Sequence, residues 1–123
     1  MRVRTVIFGL VIAATTGGAA KEAVTIQVSP EMSFAPTNLV IQTRVEPDAD
    51  NRAIEVIADS QEFYRSSTIQ LEGDRAPKTT RVEFRSLPPG TYEVTAALIG
   101  ADGRERGLAH ASVTVIESSG SLQ

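Results

Sequence analysis

The chain has 123 residues, enough for one ordinary domain, and its twelve lysines and arginines against fifteen acids give a net charge of −3. That balance disfavours nonspecific binding to nucleic acid or to an anionic lipid surface. There is no cysteine, so neither a disulfide nor a lipidated N-terminal cysteine is available, and packing alone must hold the fold.

The opening, "MRVRTVIFGLVIAATTGGAA", reads as a signal peptide over residues 1–20. Arg2 and Arg4 form a basic start and Val6 to Ala14 a short apolar run. Gly18 and Ala20 are the small residues of a cleavage point after Ala20, with Ala19 as the neighbouring alternative. The run is shorter than the roughly 20 apolar residues of a membrane-spanning helix, and an uncleaved anchor is the competing reading. Residues 1–20 hold two arginines and no acid, so their removal leaves ten basic and fifteen acidic side chains and a net charge of −5. The expected location is secreted or periplasmic, the absence of cysteine points to a bacterial source, and no transmembrane segment is expected in the mature chain.

From residue 21 onward the chain is a succession of short alternating segments. "AVTIQVSP" sets Val24, Ile26 and Val28 on one face and ends at Pro30. "MSFAPTNLVIQTRVEP" reads as one strand, with Leu39, Ile41 and Val45 alternating against Gln42, Arg44 and Glu46. After the polar turn "PDADN", Ile54, Val56 and Ala58 share a face. Ile69 and Leu71 come next, then Val82 and Phe84, then Tyr92, Val94, Ala96 and Leu98. Asp102-Gly103 is a hairpin signal, and Ala109, Ala111, Val113 and Val115 line the return strand. No sustained helical period interrupts this pattern. Seven strands at spacings near ten residues predict an all-β, single seven-stranded antiparallel sandwich over residues 21–117, with a flexible tail at 118–123.

The densest pattern is "LPPGTYEV". Leu87 closes a strand, Pro88-Pro89-Gly90 turns the chain, and Tyr92 opens the next strand. There its ring can enter the core while its hydroxyl bonds upstream backbone. With Val82, Phe84, Leu87, Pro89, Gly90, Tyr92, Val94, Ala96 and the Asp102-Gly103 hairpin, the chain resembles the immunoglobulin-like superfamily. The resemblance is closest to fibronectin type III-like and bacterial Ig-like modules. It implies that the third, sixth and seventh strands are neighbours in one sheet. Lacking the tryptophan usual in fibronectin type III modules and the cysteine pair of antibody-type domains, the chain fits a bacterial Ig-like variant better than a strict fibronectin module; the Arg-Gly-Asp tripeptide of some fibronectin modules is also absent.

Catalytic chemistry finds little support. His110, the only histidine, alternates onto an outer strand face, and no G-x-S-x-G elbow is present. Glu55, Asp59, Glu62 and Glu83 fall on polar faces or in loops, without a cleft between them. No enzyme activity and no cofactor are expected. Asp48 and Asp50 offer oxygens to a cation, against the ordinary use of Asp in a tight turn. Tyr64 beside Arg65 is a candidate platform for a sugar or a protein. The neighbouring outer faces carry Ile57, Ala97, Ile99 and Ile116, a face more apolar than solubility requires. The expected function is therefore a secreted, non-enzymatic module for protein–protein interaction or self-association. The alternatives are a carbohydrate-binding accessory module and a structural subunit assembling by β-strand addition, with "VTIQVSP" as the pairing edge.

Overall fold

Ile54, Val56 and Ala58 on one strand and Tyr92, Val94, Ala96 and Leu98 on another are all completely buried. Strict two-residue alternation thus becomes one dry face per strand. The structure is a computed structural model and describes residues 22–118. The expected signal peptide, and residues 119–123 of the expected tail, lie outside the described residues.

The strands are β1 (Val24–Ser29), β2 (Met32–Phe34), β3 (Thr37–Val45), β4 (Asn51–Asp59), β5 (Tyr64–Gln70), β6 (Thr79–Leu87), β7 (Gly90–Gly100) and β8 (Glu105–Ile116). A 3-10 turn, Gly73–Arg75, lies between β5 and β6. One sheet has the order β1-β3-β6, the other β2-β8-β7-β4-β5. Their inner faces share a core of Val24, Leu39, Ile41, Leu71, Val82, Phe84, Leu87, Val113 and Val115 with the residues named above. No described helix is long and apolar enough to cross a membrane.

Two expectations need correction. Among the described residues there are eight strands, not seven, because "MSFAPTNLVIQTRVEP" is two. Pro36 has no N–H to give a ladder, and the chain changes sheets around it: β2 joins β8 and β3 joins β1. Nor is the sandwich wholly antiparallel, since β2 runs parallel to β8 with Met32 beside Thr114 and Phe34 beside Ile116. The expected adjacency of the third, sixth and seventh predicted strands is present as β4-β7-β8.

Strand directions sort the connections into two poles. The hairpin pole gathers the entry into β1, the β3–β4 turn, the Gly73–Arg75 turn and the β7–β8 hairpin. The corner pole gathers the β1–β2 and β2–β3 links, the β4–β5 loop, the β6–β7 corner and the end of β8.

Candidate interaction surface

The outer face of the five-stranded sheet is set by the register. From β5 to β8, one row reads Thr68, Glu55, Ala97, Leu108. The next reads Ser66, Ile57, Thr95, His110, and a third Tyr64, Asp59, Glu93, Ser112. Six of these twelve side chains are Ala, Ser, Thr or Asp, interleaved with larger ones. All five large apolar side chains that are exposed among the described residues belong to strands of this sheet: Met32, Phe34, Tyr64, Leu108 and Ile116. The three-stranded sheet contributes none of them. Met32 and Phe34 are 64% and 59% exposed, well beyond what a core-seeking side chain leaves to water by accident.

The sequence-derived patch is divided by this geometry. Ile57, Ala97 and Ile99 are half-buried on β4 and β7 and adjoin Ala53 and Leu108. Ile116 lies apart at the corner pole, separated along β8 by His110, Ser112 and Thr114, and its neighbour is Phe34. Met32, Phe34 and Leu108 are absent from the sequence-derived patch. The alternation that sets His110 outward also sets Leu108 outward, so that residue carries a usable signal. Met32 and Phe34 are hidden when two strands are read as one.

Tyr64 and Arg65 do not form a joint platform, because successive residues of a strand face opposite ways. Tyr64 is 58% exposed on the outer face. Arg65 turns inward, its guanidinium 5.1 Å from the Phe63 ring centroid. Phe63 in turn meets Tyr92 edge-on, with centroids 6.4 Å apart and planes at 78°. At this corner the Tyr92 hydroxyl donates to the Pro88 carbonyl at 2.7 Å, and burial pushes its pKa up. Leu87 is fully buried and Pro89 exposed. Gly90 has φ 156°, and a Cβ there would stand 3.3 Å from both Cβ and Oγ of Ser60. Ser60, Gln61, Glu62, Pro89, Gly90 and Thr91 line an open groove of about 450 Å³ beside it.

The two turn acids, Asp48 and Asp50, are committed to Arg106. Its guanidinium stands 3.1 Å from Asp48 Oδ2 and 3.2 Å from Asp50 Oδ2, and its Nη1 donates to Asn51 Oδ1 at 2.5 Å. Asn51 is fully buried and donates through Nδ2 to the Glu46 carbonyl. The Asp50 backbone N–H, and then Arg106, hold the Asp48 carboxyl below its usual range. A cation would have to displace Arg106 from this place. His110 Nδ1 lies 3.0 Å from Glu93 Oε2 on the open outer face, both side chains more than half exposed. That is a surface contact and provides no shelter from water for proton transfer.

No family model and no curated protein matches the chain. Among solved structures, fibronectin(III)-like modules of Clostridium thermocellum CbhA align at TM-score 0.53 and 12% identity over 77% of this chain and 98% of theirs. A superoxide reductase (neelaredoxin) from Ignicoccus hospitalis aligns at TM-score 0.52 and 14% identity, over 79% of this chain and 81% of that one. A family 76 glycoside hydrolase from a bovine Bacteroides thetaiotaomicron strain aligns at 0.53 and 20% identity, with 75% of this chain matching only 20% of the enzyme. Two of the three are enzymes, but identities this low carry the fold and no activity. The fold is an immunoglobulin-like, fibronectin type III-like β-sandwich.

Proposed function

We propose that the chain is a secreted or periplasmic, non-enzymatic Ig-like module that binds protein through the outer face of its five-stranded sheet. One observation carries this reading: every large exposed apolar side chain among the described residues lies on that sheet, on β2, β5 or β8. A face with Ser66, Ile57 and Thr95 at its centre and Met32, Phe34, Tyr64 and Leu108 around them has the make-up of a contact surface. Burying those aromatic and aliphatic groups supplies the driving force, about 25 cal/mol per Å² of apolar area. The pattern of residues 1–20 supports export. The carbohydrate alternative retains Tyr64 but loses Arg65 as its neighbour.

Site-specific photo-crosslinking in the exporting host tests the face. A photoreactive residue at Leu108 or Phe34 is expected to give discrete adducts, and one at Asp102 in the β7–β8 turn none. Equal labelling from all three positions, or none from any, contradicts the reading.

A further inference from the structure

The outer faces of the two sheets carry opposite charge. On the three-stranded sheet the outward side chains of β3 and β6 include Arg44, Arg81 and Arg85, with Glu83 as the one acid among them. On the five-stranded sheet, β4 and β7 present Glu55, Asp59 and Glu93. Among the described residues Arg44, Arg81, Glu55 and Asp59 have no ion-pair partner, while Arg85 shares Glu83 at 3.5 Å and Glu93 meets His110. Three arginines gathered on one face of an acidic chain form a surface that an acidic counterpart would complement.

The spacing of one pair in each set matches as well as the signs. Arg81 and Arg85 are four residues apart on β6, and Glu55 and Asp59 four apart on β4. Each pair therefore spans about 13 Å along its strand. The third charge of each set stands on a neighbouring strand. Arg44 lies on β3 one step diagonally from Arg81, whose direct partner is Gln42, and Glu93 stands directly opposite Asp59 on β7. Ile57, between Glu55 and Asp59, and Ala97 and Leu108 in the row of Glu55 would face the hydrocarbon stems of Gln42 and Arg81 and half-buried Val40, beside Glu83, which Arg85 neutralises. A shallow groove of about 350 Å³ along Thr25, Gln27, Gln42, Arg44 and Thr79 gives the receiving face relief.

We propose that the occupant of the five-stranded face is the three-stranded face of a second copy of this chain. This rests on the interaction-face reading above and names its partner. Because the two surfaces are different and lie on opposite sides of one sandwich, the contact is heterologous. Each added copy leaves the same free face behind it, so copies stack in an open series and no closed dimer forms. Complementary charge sets the register and steers approach, and the apolar centre supplies the contact.

Sedimentation velocity on the purified protein tests this. At about 0.01 M salt, where the screening length is roughly 30 Å, mass is expected to rise with concentration beyond the dimer. At about 1 M, where it is roughly 3 Å, association is expected to be clearly weaker, since the charges no longer steer or align the copies. Reversing one face, by Arg44→Glu with Arg81→Glu or by Glu55→Lys with Glu93→Lys, is expected to weaken association more than roughly tenfold. Combining all four changes restores complementarity and is expected to restore association. All four positions are exposed, and unchanged thermal unfolding controls for folding. A wild type monomeric at low salt overturns the proposal. So does association indifferent to salt, or a fourfold variant that stays monomeric. If self-association is absent while Leu108 still gives adducts, this inference falls and the interaction face stands. If both are absent, both fall.

Discussion

The hairpin pole and the corner pole close the same sandwich by different physics. At the hairpin pole one guanidinium joins residues 58 positions apart, Arg106 to Asp48, and satisfies a buried amide on the way. At the corner pole the hydroxyl of Tyr92 reaches only four positions back, and rings stack around it: Phe63 edge-on, then Arg65 over Phe63. The first closure is made of charge and depends on salt and pH. The second is made of packed area and is indifferent to salt and to acid. The face proposed for binding runs between them. Both hold β7 within it: Asp50 at one end accepts from the Ala101 N–H, and Tyr92 at the other anchors the start of β7.

Substitution at each end puts this contrast to the test. Tyr92→Ala removes a fully buried ring and its hydrogen bond, and is expected to cost about 3–5 kcal/mol in chemical denaturation at any salt concentration. Arg106→Met leaves the Asn51 amide oxygen without its donor and two carboxylates unneutralised. The orphaned Asn51 oxygen is expected to cost about 1–3 kcal/mol, and the added repulsion between the two exposed carboxylates should shrink in high salt, which the Tyr92 loss should not. Equal salt dependence of the two variants would erase the distinction.

Acid separates the poles further. The carboxyl of Asp48 is held below its ordinary value of 3.8. Its contribution is therefore complete above that pH and lost as the pH falls through the lower, folded-state value. Asp48→Asn should lower the melting temperature at pH 7, and its difference from wild type should close as the pH drops below 3.8. A difference that stays constant across that range contradicts the assignment. The smallest effect is a gain at the corner pole. Ser86 sits at φ 59°, with its N–H donating to Asn38 Oδ1 at 3.0 Å. Ser86→Gly relieves the left-handed strain, and is expected to stabilise by up to about 1 kcal/mol in the same assay.

Alternation makes most of the fold legible. Val56, Phe84, Val94 and Val113 each face the core for the reason visible in the sequence: apolar and polar residues take turns. What alternation does not carry is partnership. Pro36 marks a break between β2 and β3, but nothing local says which sheet each joins, because the two segments differ in their hydrogen-bonding neighbours and not in their pattern. Nor does any spacing connect "DADN" with Arg106, which meets it only after β4, β5, β6 and β7 have been laid down. The site is legible in the same partial way. Ile57, Ala97 and Ile99 can be assigned to the outer face by counting, but Ile116 is separated from them only by the register of β8. Tyr64 and Arg65 are adjacent in sequence and opposed in space, a consequence of strand geometry alone.

The entry to β1 and the end of β8 lie at opposite poles, and this has a mechanical meaning. A pull applied to Val24 and Ile116 runs along the axes of both strands. β1 is bonded to β3 over six residue pairs, Val24↔Val45 to Ser29↔Val40, with hydrogen bonds perpendicular to the strand. Such a load falls on all of them together, as on a lap joint, and does not open them one at a time like a zip. The short β2–β8 ladder, held by the Glu31 and Ile116 carbonyls, shares it in the same sense. Tethered at one pole and loaded at the other, the sandwich resists as a link under tension.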